Sequence, residues 1–97
     1  VTAIKWLPEA LADVERIYDF LKEKNPHAAA RAIGVILEAA GQLEGMPRIG
    51  RPMPDDTARR ELFAPFAAGA YVLRYMPEGD DGWVIIRVWH SREHKTE

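Results

Sequence analysis

Asn25-Pro26 constrains this chain more than any other pair of residues, because it cuts one long helical pattern into two helices joined with almost no linker. Proline disfavours helical backbone at the residue before it, while asparagine caps a helix well and proline suits a helix's first turn. The first helix therefore starts at Pro8, with Glu9 in its first turn, and stops near Lys24. Leu11, Val14, Tyr18 and Leu21 follow at spacings of three and four, which predicts an amphipathic face. The second helix sets Ala29, Ile33, Ile36, Leu37, Ala40 and Leu43 along one stripe, and Ala28, Ala32 and Gly34 thin its flanks so that the first helix can approach. Gly45 and Pro47 end it. A tight helical hairpin results.

The pattern changes on either side of that hairpin. Val1 to Trp6 reads as a strand, and Met46 to Thr57, rich in proline and aspartate, reads as a loop. Three strands follow, over Arg59 to Ala64, Ala70 to Met76 and Trp83 to Ser91, with Pro77 to Gly82 as a hairpin turn between the last two. The predicted class is α+β: an N-terminal strand, an α-helical hairpin, then a three-stranded antiparallel run, forming one sheet with the helices packed on one face. Strict alternation along the last strand would put Val84, Ile86, Val88 and His90 against the core. Ile85, Arg87, Trp89 and Ser91 would then share the other face, where aromatics and cations together make a contact surface.

At 97 residues the chain suits one domain, residues 1–97, and a domain of this size buries only about two-thirds of its unfolded surface. It has no cysteine, which excludes disulfides, thiolate catalysis and cysteine-ligated zinc. No signal-peptide pattern and no apolar run of about 18 residues is present, so the expected location is the cytoplasm. A formal charge of -2 argues against a protein whose main ligand is nucleic acid. Seven of the nine arginines nevertheless fall between Arg48 and Arg92, and arginine favours planar carboxylate partners, so an acidic protein segment suits that half.

Catalytic chemistry finds little support. His90 and His94 stand four apart with Glu93 and Glu97 nearby, but His90 ends a strand and no further ligand set is visible, so no metal site is assigned. Ser91 is the only serine, and its neighbour His90 points the other way on an extended strand. Asp55-Asp56 and Asp80-Asp81 occur in turns, where solvated carboxylates are the rule. Arg74 and Arg87 are more demanding. The last hairpin brings their strands together, and two cations on one face repel unless a carboxylate such as Glu61, or a partner's, intervenes.

The loop Gly50-Arg51-Pro52, the strand Arg59-Arg60-Glu61-Leu62, the strand Tyr71-Val72-Leu73-Arg74-Tyr75 and the run from Ile85 to Glu93, in this order behind a helical hairpin, resemble the ParE branch of the RelE/ParE toxin superfamily. The resemblance spans nearly the whole chain. It implies a type II toxin that inhibits DNA gyrase by protein-protein binding and is neutralised by a ParD-like antitoxin, a ribbon-helix-helix protein with a wrapping tail. DNA would be met only through that antitoxin, and neither a membrane, a cofactor nor a small-molecule substrate is implied. RelE-type relatives instead cut messenger RNA on the ribosome, using a basic residue after the penultimate strand's tyrosine, more basic residues after the last strand, and a C-terminal tyrosine. Here those positions hold Val72, then His90 and Ser91 with Arg92 one step on, and a tail without tyrosine. A non-enzymatic toxin is the expectation; the alternatives are a RelE-type ribonuclease and a degenerate toxin acting only as an antitoxin-binding co-repressor. Arg74, Arg87, His90 and Arg92 are the target-binding candidates. Leu11, Tyr18, Ile33, Leu37, Arg60 and Trp89 are the antitoxin-binding candidates, on the outer hairpin surface and adjoining sheet.

Overall fold

The computed structural model of the chain describes residues 3–93. Its elements run β1 (Ala3–Trp6), α1 (Pro8–Lys24), α2 (Pro26–Gly45), β2 (Arg51–Pro52), β3 (Arg60–Phe66), β4 (Gly69–Glu78) and β5 (Gly82–His90). The five strands form one sheet in the order β1-β5-β4-β3-β2, and the two helices pack on one face. This is the expected α+β architecture. The hairpin junction behaves as its residues dictate: the Asn25 side chain accepts a hydrogen bond from the Ala28 amide at 3.1 Å, and Pro26 opens α2.

Three features of the sheet depart from the sequence reading. β1 pairs parallel to β5, so the sheet is mixed, and the predicted loop contains the two-residue strand β2, which pairs with Arg60 and Glu61. β3 also continues past Ala64 through Pro65 to Phe66. Proline is tolerated there because β2 covers only the other end of β3, leaving Pro65 on an open edge where no ladder donor is needed.

The predicted stripes hold in part: Ala29, Ile36, Ala40 and Leu43 of α2 are buried and Val14 and Leu21 of α1 pack against the core, while the outer members turn to solvent. α1 buries Ala10, Asp13 and Ile17, while Leu11 is 54% and Tyr18 38% exposed. α2 buries Ala29, Ala32, Ile36, Ala39, Ala40 and Leu43, while Leu37 is 55% exposed and Ile33 half-buried. Alanines take the close helical contacts, where small side chains let the backbones approach. Asp13, a charged residue that the sequence does not mark out, points inward because it has partners there.

Strict alternation along β5 also fails, at a bulge: Arg74 pairs with Arg87 but Tyr75 pairs with Ile85, so Ile86 is the extra residue. The bulge resets the faces. Ile85 and Val88, three apart, both join the core with Trp83, Leu73, Tyr75, Ile36 and Leu43. Ile86 is not the core residue expected of it, and His90 stacks edge-on against buried Tyr71 with ring centroids 4.9 Å apart. Trp89 lies across the strand pair from Val72, under the Arg74 guanidinium.

Candidate functional site

Beyond Ile85, β5 has no strand on its outer side, since β1 ends at Trp6 and Leu7 makes the last hydrogen bond, to the Ile85 carbonyl. Side chains take over this edge. The Asp13 carboxylate accepts from the Val88 amide at 2.8 Å, Arg16 reaches the Val88 carbonyl at 3.5 Å, and the Glu93 carboxylate accepts from the His90 amide at 2.8 Å. Glu93 also receives Arg16 at 2.8 Å, so α1 is clasped to the corner where β5 ends.

Asp13 is the hub. It accepts two hydrogen bonds from Arg87, at 2.7 and 3.0 Å, besides the Val88 amide and a longer contact from Arg16. Burial alone would push its carboxyl up; the hydrogen bonds from Arg87 and Val88, with the charge of Arg87, outweigh that and hold it below the ordinary aspartate value. Arg74 is paired in the same manner, with Glu61 accepting at 2.8 and 3.0 Å while the guanidinium lies 4.9 Å from the Trp89 ring centroid. The two facing arginines thus have separate carboxylates. Glu61 serves Arg74, and Asp13, which sequence reasoning did not single out, serves Arg87.

At the corner, His90 Nδ1 accepts from the Arg92 amide at 3.2 Å and Nε2 lies 3.0 Å from the Phe66 carbonyl. Together these contacts suit a neutral ring protonated on Nε2. Ser91 closes the other side: its amide donates to the Ala70 carbonyl at 2.7 Å and its hydroxyl accepts from the Ala70 amide at 3.0 Å. No hydrogen bond joins Ser91 to His90. The Arg92 side chain is exposed and makes no ion pair among the described residues. Beside the corner, Ile17, Phe20, Leu21, Phe66 and Tyr71 line a largely apolar cleft of about 470 Å³, with Arg16 and Glu93 also in its lining. Burial and the Glu93 charge raise the Tyr71 phenol above its ordinary value.

The antitoxin-binding candidates separate into four places. Leu11, Tyr18 and Ile33 line an open groove of about 610 Å³ between the two helices, with Val14, Glu15 and Ala30. Leu37 is exposed further along α2, and Trp89 is half-buried under Arg74. Arg60 instead ties the loop down, donating to the Arg48 and Gly50 carbonyls at 2.9 and 2.7 Å. No group of three metal-ligating side chains occurs among the described residues, and His94 and Glu97 lie outside them.

The model of the ParE toxin of type II toxin-antitoxin systems matches residues 4–94. The chain belongs to the ParE toxin family. Among similar proteins, Toxin RelE1 of Caulobacter vibrioides is 40% identical over 87 residues, covering 89% of each chain. Toxin RelE3 of the same organism is 38% identical over 88 residues, covering 91% of this chain and 92% of the relative. Of solved structures, the chromosomal ParDE toxin-antitoxin system from P. aeruginosa superposes with a TM-score of 0.74 at 23% identity, over 92% of this chain and 95% of that one. The RelBE2 toxin-antitoxin complex from Mycobacterium tuberculosis gives 0.62 at 22%, over 92% and 96%. At these identities the superpositions establish the shared fold. Among the described residues of this ParE-family chain, no helix is long and apolar enough to cross a membrane.

Sequence reasoning missed the Asp13, Arg16 and Glu93 set. The signal was present in part: Asp13 falls three residues after Ala10 and four before Ile17, in phase with the inner face of α1, and mid-strand Arg87 required a carboxylate.

Proposed function

We propose that this ParE-family toxin acts by binding DNA gyrase, and that a ParD-like antitoxin neutralises it by laying an apolar segment along the helical hairpin. The observation that carries the reading is the state of the sheet's charged groups. Arg74 and Arg87 are engaged by Glu61 and Asp13, and the position after Tyr71 is a buried valine facing Trp89. Cleavage of RNA needs cations held ready for the developing phosphorane charge and a base for the 2'-hydroxyl. Arginines already neutralised by carboxylates supply neither well. We assign target contact to the corner, where exposed Arg92 follows half-buried His90.

Induced expression tests the target class. Filamented cells with DNA-damage signalling are expected; rapid loss of protein synthesis would instead favour ribosome-dependent RNA cleavage, the second reading, which the RelE names of the two Caulobacter relatives support. Absence of any growth defect would favour the co-repressor reading.

Arg92→Ala is expected to keep stability within about 0.5 kcal/mol, as for a solvated surface residue, while weakening toxicity. Thermal melts beside a growth-inhibition assay check both halves. In the hairpin groove, Leu11→Glu and Tyr18→Glu place charge at exposed apolar positions. Each should leave the fold intact and weaken capture of the co-expressed antitoxin by about tenfold or more, as for contact residues at the centre of an interface. Unchanged capture by both variants would remove the groove from the antitoxin site.

A further inference from the structure

We propose that a second site, a pocket between the loop after α2 and the β4–β5 end of the sheet, receives a carboxylate side chain of an acidic protein segment on Arg48 and Arg60. The pocket has a volume of about 380 Å³ and is walled by Pro52, Pro54 and Pro77, with Trp83 in its lining. Prolines hold such a wall in one shape, which lowers the cost of ordering on binding.

The arginines of this chain fall into two groups. Arg16, Arg59, Arg74 and Arg87 each have a carboxylate within ion-pair distance. Arg48 and Arg60, like Arg31, Arg51 and Arg92, have none among the described residues. Arg60 spends one nitrogen on the neutral Arg48 and Gly50 carbonyls, which fix its position without compensating its charge. Arg48 lies over the Trp83 ring at 5.7 Å from the centroid, which orients its guanidinium plane and leaves its outer donors available. Two oriented, uncompensated guanidinium groups on one concave wall make a receptor for a planar anion.

The surroundings select the source of that anion. Asp56 also lines the pocket, Asp55 stands beside it bound to Arg59, and the whole chain carries a formal charge of -2. A phosphate backbone needs a basic surplus along its track, which is missing here. A single aspartate or glutamate on a protein partner needs only the pocket. The assignment does not depend on gyrase being the target, and its test involves neither gyrase nor antitoxin.

The probe is acetyl-tetraglutamate amide, titrated into the 15N-labelled full chain. Shifts of the Trp83 indole N–H and of the amides over residues 48–60 are expected. Arg48→Gln should weaken the binding by about tenfold, the effect of losing a hydrogen bond to a charged group, with an unchanged melting temperature. Arg48 is the residue to change because Arg60 also anchors the loop. Three results overturn the proposal: no shift at these resonances, shifts that persist unchanged in Arg48→Gln, or stronger shifts of the same resonances by an octathymidylate, which would make the ligand a nucleic acid.

Discussion

Replacing Asp13 with alanine should destabilise the fold by about 3 kcal/mol, the cost of removing a buried acceptor that serves several donors at once. Asp13 is 4% exposed, and its loss removes the acceptor of the Val88 amide and of two Arg87 hydrogen bonds. In a chain of this size that corresponds to a fall in melting temperature of more than about 10 °C. Arg87→Ala should cost less, about 1–2 kcal/mol, because half of that side chain is already in water and the Val88 amide keeps Asp13. The comparison also has a pH signature. Folding lowers the Asp13 pKa below its ordinary 3.8, so the carboxylate's stabilisation is fully present above about pH 4 and is lost as the pH falls through the folded-state value. The gap between the urea midpoints of wild type and Asp13→Asn should therefore be narrower at pH 2.5 than at pH 7. A gap that stays constant with pH would contradict the role given to the charge.

Gly50→Ala is expected to cost about 2–3 kcal/mol through overpacking and a broken buried hydrogen bond. A methyl group at Gly50 would stand 2.5 Å from the Tyr75 hydroxyl, 2.7 Å from its ring and 3.0 Å from the Glu61 carbonyl. Tyr75 is fully buried and accepts from the Gly50 amide at 2.8 Å, so neither partner has room to retreat. Burial raises the Tyr75 phenol above its ordinary value, keeping it neutral at working pH. Gly34 supplies the contrast. It is in the middle of α2 with open space where its Cβ would go, and Gly34→Ala should stabilise by about 0.5–1 kcal/mol. Equilibrium unfolding of the two variants tests whether close approach to Tyr75, rather than glycine content, explains the loop.

Local chemistry was readable from the chain. The Asn25-Pro26 junction, the Gly45 end of α2 and the turn before Gly82 each depend on residues within a few positions of one another. What escaped was set by groups far apart in sequence. Asp13 turns inward only because Arg87 and Val88, 74 and 75 residues later, need it. The bulge at Ile86 lets Ile85 and Val88 share a face that no period-2 pattern would allow. Parallel pairing of β1 beside β5 joins the two ends of the chain, which nothing local in either strand encodes. His90 and Arg92 could be named from the sequence as candidates and lie at the corner, but its construction from Arg16 and Glu93 could not be read, because an α1 residue supplies half of the clasp.

The most direct test of the central claim adds the purified toxin, free of antitoxin, to DNA gyrase in a supercoiling assay and, in parallel, to ribosomes translating a defined messenger RNA. Dose-dependent loss of supercoiling, diminished by Arg92→Ala and reversed by antitoxin, with the message left intact, is the predicted result. Cleavage of the message at ribosome-bound codons with gyrase unaffected would contradict it.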